Sequence, residues 1–439
     1  MKICLVSQEY PPETPWGGIA TQTFNKARAL VGLGHEVHVL SRSASEASEL
    51  RTDMDQGVTV HRMNPPGYAF PVYSRTAYRL GYTWHVLAKL NELMERTAFD
   101  VLDFPEFGAE GFAYQLDRTP ANWVPVVVQL HGPLAMFIEY MGWPERDTRM
   151  AEVGAFMEQF SVKRADALMA CSASVARLAE RYFGIPAEMI DVVHCGVDTE
   201  LFTPEARPHE EMLTRSALRH PDPGPLPSRA REKTPAIFEA SRRPTVLFVG
   251  AIVENKGAKV LVEAVLRLRR KYPNIRLQMI GKGGSELLDQ LAAMISRDGA
   301  RDNFEFLGFV PLERLADYYR SADVFCSPVP EYEGFGQVFL EAMACGCPVV
   351  ASTAGGCAEA VAHEESGLLV SPGDVAGTAD AIDRLLSDAD LRHRLSEHGL
   401  RRVKDYFALD RFIRRVEAVY QKAIERSRSN PERLQDVRE

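Results

Sequence analysis

Short apolar runs alternate with longer stretches of helical periodicity along almost the whole chain. KICLVS at 2–7 and PTVLFVG at 244–250 are typical of these runs, and continuous apolar runs of this length are characteristic of strands buried on both faces of a sheet. The predicted strands are 2–7, 36–41, 58–63, 101–104, 124–130, 165–172, 190–194, 244–250, 276–281, 304–310, 322–328 and 348–352. Helices are predicted over 19–31, 257–270, 312–321 and 337–345, from about 285 and from about 409. This alternation predicts βαβ units and parallel sheets.

One polar stretch, 206–243, interrupts the alternation. It contains PDPGPLPS and clustered arginines, a composition typical of an exposed loop or linker. We therefore predict two Rossmann-like α/β domains in tandem, over 1–205 and 244–408. Phe412, Val416 and Tyr420 recur at four-residue spacing, which predicts a final helix with one apolar stripe from about 409.

Composition and charge narrow the class of protein. The chain has 439 residues, 46% hydrophobic and 25% charged, with a net charge of −9. Residues 1–205 hold 17 Lys+Arg and 26 Asp+Glu, a net −9, whereas 206–439 hold 34 of each. An acidic first half argues against nucleic acid and against an anionic membrane as partner.

Cellular location follows from three features of the sequence. No apolar run approaches the roughly 18 residues of a membrane span. The opening MKICLVSQEYPPE is too short in its apolar part for a signal peptide. The seven cysteines form no CxxC pair, so buried thiols are favoured over disulfides or a metal site. A cytoplasmic protein is expected.

Several familiar chemical motifs are absent or incomplete. GxxxxGK[ST], HExxH and GxSxG do not occur. Gly281-Lys282-Gly283-Gly284 follows a predicted strand, but Glu286 stands where a dinucleotide fingerprint has its third glycine. Asp53-Met54-Asp55 spells a DxD motif within a predicted polar loop, and Asp388-Ala389-Asp390 is interpreted as a solvated turn. No metal site is predicted.

The most informative stretch is VPEYEGFGQVFLEAMACGC at 329–347. Glu333 follows a strand, Gly334-Phe335-Gly336 comes next, and Glu341 lies in the helix that follows. Glycine backbone N–H groups and a helix N-terminus favour an anion such as diphosphate. Glu333 is placed to accept hydrogen bonds from ligand hydroxyls and Glu341 to reach a ribose diol; the alternative for Glu341 is an ordinary surface position on a helix.

The chain resembles the family 4 retaining glycosyltransferases of the GT-B fold over nearly its whole length. Glu333 and Glu341 match the family's E-x7-E pattern, and ACGCPVVASTAGGCAEAV with SGLLV matches its usual continuation. The first domain adds Gly17-Gly18, LGHEVHVL at 33–40, His131-Gly132 and CGVDTELFTP at 195–204. The resemblance implies two domains facing across a cleft, with the C-terminal helix crossing back to the first domain.

This resemblance also implies the substrates. A nucleotide diphosphate sugar would bind mainly to the second domain and a hydroxyl acceptor mainly to the first, with retention at the anomeric carbon, no metal and no cofactor. The family supplies cations for the leaving diphosphate in the pattern GR-x4-KG. This chain has Gly250, Ala251 at the arginine position, and Lys256. Lys282 is a possible substitute cation, or a solvated loop lysine.

Other donor contacts are carried over position by position. The resemblance places His131 at the donor sugar near the reacting centre. It also implies that the backbone N–H groups of Gly17 and Gly18 donate hydrogen bonds to phosphate. It places the nucleotide base against backbone groups near Phe309 and Val310; the alternative is that FLGFV is a plain core strand.

The acceptor side gives weaker signals. Asp103 and Glu106 follow a predicted strand and are candidate acceptor contacts, with helix capping or loop solvation as the competing explanation. The aromatic residues of 68–84 have three interpretations: an acceptor pocket, a peripheral membrane contact, or, preferred, packing against neighbouring helices. The residues of this run are Tyr68, Phe70, Tyr73, Tyr78, Tyr82 and Trp84.

The sequence thus predicts a retaining, metal-independent hexosyltransferase acting on a glycan, a glycolipid precursor or a small-molecule natural product. Two alternatives stay open. One is a catalytically silent sugar-nucleotide-binding protein, suggested by Ala251. The other is a different enzyme of the same fold, such as a sugar nucleotide epimerase or a phosphorylase, although no context for a pyridoxal phosphate lysine is evident.

Overall fold

The structure, a computed structural model, describes residues 1–14, 17–44, 51–64, 75–146, 148–205 and 243–429. The chain divides into two units, one of 1–196 with the helix that begins at Leu409, the other of Val197–Ala408. The predicted linker 206–243 lies outside the described residues except for Arg243.

The first unit is built on an eight-stranded sheet. Its strands are β1 (Lys2–Val6), β2 (Glu36–Arg42), β3 (Arg51–Asp55), β4 (Val58–Met63), β5 (Val101–Pro105), β6 (Val126–Leu130), β7 (Ala167–Ala170) and β8 (Asp191–Val192). The order is β3-β4-β2-β1-β5-β6-β7-β8, parallel throughout except for the β3–β4 hairpin. Strands β1, β5 and β6 are almost entirely buried, as expected for parallel strands covered on both faces.

Helices connect the strands of the first unit. They are α1 (Gly18–Gly32), α2 (Arg75–Met94), α3 (Phe112–Asp117), α4 (Leu134–Met141), α5 (Arg149–Lys163) and α6 (Ala173–Phe183). The threonine and serine before α5 and α6 cap them, since Thr148 and Ser172 accept hydrogen bonds from the Ala151 and Val175 N–H groups.

The second unit is built on a six-stranded parallel sheet. Its strands are β9 (Thr245–Val249), β10 (Arg276–Ile280), β11 (Phe304–Gly308), β12 (Val324–Ser327), β13 (Val349–Ser352) and β14 (Leu368–Val370). The order is β11-β10-β9-β12-β13-β14. Counted within the domain this is 3-2-1-4-5-6, the doubly wound order, and ligands of such sheets bind at the carboxyl ends of the strands.

Helices of the second unit pack on both faces of this sheet. They are α7 (Ala258–Leu268), α8 (Ser285–Arg297), α9 (Leu312–Ser321), α10 (Gln337–Ala344), α11 (Cys357–Ala360), α12 (Val375–Ser387) and α13 (Ala389–Arg402). A π-helical turn at Val403–Phe407 follows α13.

The final helix, α14 (Leu409–Ser429), belongs to the first unit. Phe412, Val416 and Tyr420 are buried together with strand residues Val101 and Val127. The predicted apolar stripe therefore closes the core of the first unit.

Of two predictions from the polar segments, that for Asp53 and Asp55 was wrong, whereas Asp388-Ala389-Asp390 is exposed as expected. Asp53 and Asp55 lie in β3, not in a loop, and Asp55 accepts hydrogen bonds from Arg28 and Tyr10. An edge strand with one solvated face is rich in charge, which hides it from an apolar-run search. Asp388 caps α13 through the N–H of Leu391.

Two findings bear on the class of protein. No helix among the described residues is long and apolar enough to cross a membrane. All seven cysteines lie in described segments and are buried thiols, as expected.

Candidate functional site

Two predicted site residues meet at the carboxyl edge of the second sheet. Lys256 follows β9, Glu333 follows the neighbouring strand β12, and the two form an ion pair between Nζ and Oε2. The lysine side chain is 34% exposed and the glutamate side chain 18%. Burial works against the lysine charge, but the Glu333 carboxylate outweighs it and raises the pKa of Lys256 above its ordinary value. Lys256 is therefore a cation at neutral pH.

Glycines let the backbone approach closely around this pair. Gly257, directly after Lys256, has φ +81°, and a Cβ there would overlap the carbonyl oxygen of Pro328 at the end of β12. Gly281 at the end of β10 has φ +142°, and a Cβ there would overlap the carbonyl oxygen of Gly250. The loops that follow β9, β10 and β12 therefore approach one another closely at positions where only glycine fits.

A second glycine pair supports the Glu333 loop. The Gly356 N–H donates to the Glu333 carbonyl oxygen at 2.8 Å. A Cβ on Gly355 would overlap Glu333, and one on Gly356 would overlap Gly334. The sequence analysis included Gly355 and Gly356 only in the stretch that matches the family, and it missed their support of Glu333. The two consecutive glycines after β13 were the sequence feature that could have indicated it.

Gly334-Phe335-Gly336 leads into α10 as predicted. Gly336 has φ +88°, and a side chain there would collide with the ring of Phe339. Phe335 is buried and its ring lies 5.6 Å from that of Phe407. Any contact of this segment with a ligand is therefore through the backbone.

Glu341 lies in α10 and is buried, so the alternative of a surface helix position is wrong. Its Oε2 accepts a hydrogen bond of 2.8 Å from the hydroxyl of Tyr319 on α9. Burial raises the pKa of Glu341 to about 7, with the Tyr319 hydrogen bond opposing. Its contact with a ribose stays a prediction.

Lys282 and Phe309 lie side by side beyond β10 and β11. The Lys282 ammonium is 6.0 Å from the centroid of the Phe309 ring, which is 44% exposed. Strand β11 ends at Gly308, where φ is +66°, so the predicted strand was two residues too long. Phe309 and Val310 leave the sheet, and the alternative of a plain core strand does not describe them. Ala251 is exposed and precedes Ile252, whose N–H donates to the Lys282 carbonyl oxygen at 2.8 Å.

In the first unit, Gly17 and Gly18 begin α1. Gly17 is its N-cap in an extended conformation, and a Cβ there would lie 3.0 Å from Glu9 Oε2, whereas Gly18 faces open space. Burial raises the pKa of Glu9. The sequence analysis did not consider this carboxyl group beside Gly17, and the contact of the two glycines with phosphate stays a prediction.

His131 follows β6 and is partly buried. Its side chain lines a small cavity of about 10 Å³ together with Lys26, Asp103 and Gln129, room for about one water molecule. Burial, reinforced by the charge of Lys26, lowers the pKa of His131 to about 3. The imidazole is therefore neutral at physiological pH.

Asp103 and Glu106, the candidate acceptor contacts, are both buried. Asp103 pairs with Lys26 at 2.7 Å and accepts a hydrogen bond from Tyr420 of α14. Glu106 is 0% exposed, and its Oε1 accepts the backbone N–H groups of His131 and Gly132. Loop solvation does not describe these carboxyl groups, because both are bonded inside the fold. Their contact with an acceptor stays a prediction.

The aromatic run has three described members, all on α2. Tyr82 is buried, Tyr78 accepts a hydrogen bond from Arg42, and Trp84 is 44% exposed. Contacts inside the unit therefore account for Tyr82 and Tyr78, whereas Trp84 stays largely exposed. Tyr68, Phe70 and Tyr73 lie outside the described residues.

Comparisons with known proteins identify the family. Residues 230–402 match the model for Glycosyl transferases group 1, and residues 16–201 match that for Glycosyltransferase Family 4. A D-inositol 3-phosphate glycosyltransferase of Xylanimonas cellulosilytica is 30% identical over 414 residues, covering 93% of each chain.

Two solved structures show the fold. Sucrose-phosphate synthase of Thermosynechococcus elongatus superimposes with a TM-score of 0.76 at 21% identity, covering 97% of this chain and 99% of that one. Anabaena HepE, solved with UDP and glucose, gives a TM-score of 0.69 at 18% identity, covering 96% and 99%. The chain therefore belongs to the family 4 (group 1) glycosyltransferases and has their GT-B fold.

Proposed function

We propose that the protein transfers a hexose from a nucleotide diphosphate sugar to a hydroxyl acceptor, with retention and without a metal ion. The observation that carries this proposal is the Lys256–Glu333 pair at the carboxyl edge of β9 and β12, next to the start of α10. In this proposal the second unit holds the donor and the first unit holds the acceptor.

Lys256 neutralises the leaving diphosphate. Its raised pKa keeps it charged, and a fixed cation at the place where negative charge develops stabilises the transition state. Glu333 keeps the lysine protonated and accepts hydrogen bonds from hydroxyls of the donor sugar.

The start of α10 adds neutral donors for the diphosphate. Backbone N–H groups at a helix N-terminus favour anions, and Gly334, which is half-buried, carries no side chain to cover the backbone there. Glu341 is proposed to bind the ribose, and the exposed Phe309 with Val310 to meet the base.

The proposed reaction takes place on one face of the sugar. The bond from the anomeric carbon to the diphosphate breaks, and the bond to the acceptor oxygen forms on the same face. The acceptor's hydroxyl proton passes to an oxygen of the leaving phosphate. Neutral His131 contacts the sugar. Because it is uncharged, it does not oppose the positive charge that develops at the anomeric carbon.

A silent sugar-nucleotide-binding protein is the second candidate. Ala251 stands at the position of the family's arginine and is exposed, so one cation of the usual pair is missing. Lys282, exposed beside Phe309, is the proposed substitute.

The test measures UDP release from UDP-glucose in EDTA, with D-inositol 3-phosphate as acceptor, and UDP binding by calorimetry. These probes are chosen because HepE was solved with UDP and glucose and because the relative is named for that acceptor. Lys256→Ala is expected to lower turnover by about 10²–10³-fold, and the matched Lys282→Ala by less. The anomeric configuration of the product, read by NMR, tests retention.

Each contrary result has a distinct meaning. Binding of UDP without turnover supports the silent protein. Activity that vanishes in EDTA and returns with Mg²⁺ overturns metal independence. Unchanged turnover in Lys256→Ala overturns the proposed site.

A further inference from the structure

Buried carboxyl groups connect the loops at the carboxyl edge of the first sheet. Glu106 comes from the loop after β5, yet its Oε1 accepts two N–H groups of the next loop, after β6. The bond from His131 is 2.5 Å long, and Gly132 donates the second. A single buried oxygen thus fixes two successive peptide groups at the residue proposed to contact the sugar.

Glu158 of α5 accepts hydrogen bonds from the same two loops. Its Oε1 accepts the N–H of Gly108 at 3.1 Å, in the β5 loop, and its Oε2 accepts the N–H of Leu134 at 2.7 Å, at the start of α4. Glu158 is 1% exposed. The β5 and β6 loops are therefore joined at four backbone N–H groups by two carboxyl groups.

We propose that Glu106 is a positioning residue for His131, acting through the backbone N–H groups of His131 and Gly132, and that Glu158 supports it. The proposal rests on the proposed function, because it takes His131 as a contact of the donor sugar. It assigns to Glu106 a role different from acceptor binding.

Burying the Glu106 carboxyl group costs free energy. A fully buried carboxyl group loses its hydration, and two hydrogen bonds to one of its oxygens recover only part of that loss. Its Oε2 has no hydrogen-bond partner among the described residues. An amide could accept the same two bonds through one oxygen, so the geometry does not require the charge.

Glu110 provides a matched control in the same loop. It is also buried, but its Oε1 accepts the N–H of Gln8 in the β1 loop, at 2.9 Å. A substitution at Glu110 therefore disturbs a neighbouring buried carboxyl group without touching the His131 loop.

The experiment compares full-length Glu106→Met, Glu106→Gln, Glu110→Gln and His131→Ala with the parent protein. Methionine keeps roughly the volume but replaces the carboxyl oxygens with a weakly accepting sulfur and a methyl group, whereas glutamine keeps an acceptor oxygen. Amide hydrogen exchange at residues 131 and 132 and kcat and KM for UDP release from UDP-glucose are measured.

We expect Glu106→Met to speed exchange at these two amides at least tenfold and to lower kcat roughly 10- to 100-fold, with KM within about threefold, because misplacement by about 1 Å can cost that much. Glu106→Gln is expected to restore both to within about threefold of the parent protein. Glu110→Gln is expected to leave both unchanged.

Three results would overturn the positioning role. They are parent-like exchange in Glu106→Met, unchanged kcat in Glu106→Met, and a glutamine variant that behaves like methionine. If the methionine variant does not fold, loss of kcat in Glu106→Gln with parent-like exchange at 131 and 132 refutes it equally.

The His131→Ala variant separates this proposal from the proposed function. Full kcat in His131→Ala refutes the role of His131 and, with it, the purpose assigned to Glu106. Reduced kcat in His131→Ala with unchanged kcat in Glu106→Met refutes the Glu106 proposal alone. If UDP-glucose is not turned over at all, the proposed donor chemistry fails, and the exchange data decide whether Glu106 holds the loop.

Discussion

The two sheets share a strand order, but different side chains hold the loops at their carboxyl edges. Strands β4-β2-β1-β5-β6-β7 and β11-β10-β9-β12-β13-β14 follow the same pattern. At the first edge, buried carboxyl groups such as Glu106 and Glu158 hold the loops through backbone N–H groups. At the second, glycines hold backbone against backbone, and the charged pair Lys256–Glu333 stays partly exposed.

The difference shows in the charge state that each pKa shift favours. Burial raises the pKa values of Glu106, Glu110 and Glu158 to about 7, 8 and 8, which favours their neutral forms. At the second edge the pKa of Lys256 is raised by Glu333, which favours its charged form. Burial likewise raises the pKa of Glu341 in α10 to about 7. The buried carboxyl groups of both units therefore tend towards the neutral form, whereas the partly exposed Lys256–Glu333 pair favours a charged lysine.

The largest expected effect comes from breaking a buried charge pair of the first unit. Asp103→Asn keeps the shape but leaves the Lys26 ammonium buried without its counter-charge, and the Lys26 side chain is 4% exposed. We expect unfolding to become about 3–5 kcal/mol easier, measured by urea denaturation. The control Asp383→Asn breaks the exposed pair with Lys271 and should cost less than about 1 kcal/mol. Equal costs for the two variants would show that burial does not set the strength of the first pair.

An intermediate effect is expected from a methyl group at the second edge. Gly356→Ala places a Cβ against the Gly334 carbonyl, and overpacking of this kind costs about 1–3 kcal/mol. Because Gly356 also supports Glu333, UDP binding should weaken in calorimetry. Gly284→Ala, where a Cβ meets nothing within 4 Å, is the control and should leave both unchanged. Parent-like stability and binding in Gly356→Ala would mean that the Glu333 loop does not depend on this close approach.

The last expected effect is a change of stability with pH at Glu110, and it sharpens the contrast between the favoured charge states. Glu110 faces the Gln8 N–H, Glu9, Arg42 and Tyr82. Its folded pKa of about 8 lies above the ordinary 4.5, so the folded state holds a proton that the unfolded state releases. Its contribution to stability is therefore present below about pH 4.5 and is lost as the pH rises to about 8.

Glu110→Gln removes this dependence. Its unfolding free energy relative to the parent protein should rise between pH 5 and pH 8, by on the order of 2 kcal/mol, in denaturation series at fixed ionic strength. Glu36→Gln is the control of opposite sign, because hydrogen bonds from His38 and Lys2 lower the pKa of Glu36. A Glu110→Gln difference that falls with pH would contradict the assigned direction.

Much of the fold was predictable because parallel strands are buried on both faces. The strand at 58–63 and the helix at 312–321 were predicted with the bounds that the structure shows for β4 and α9. Strand β3 was missed because an edge strand lacks that signature, and β11 was extended past Gly308 because the apolar run continues after the turn.

The sequence predicted which candidate residues lie close together better in the second unit than in the first. The E-x7-E spacing and Gly-rich loops are local patterns, and Lys256 and Glu333 do form a pair. Glu106 and Asp103 were candidate acceptor contacts because they follow a strand at the edge of the sheet where a site was expected, with helix capping or loop solvation as the alternative. Whether a carboxyl group is solvated depends on what packs over it.

The sequence by itself determined the alternation of strands and helices, the two α/β domains and the family, because these follow from burial patterns and motifs within short segments. Only the tertiary structure decided which ionisable groups face solvent and which are bonded inside the fold. Glu106 meets His131 across 25 positions, Lys256 meets Glu333 across 77, and Asp103 meets Tyr420 across 317. The role of each of these groups is set by its desolvation and by the partner that compensates it, and that partner is brought close only when the chain folds.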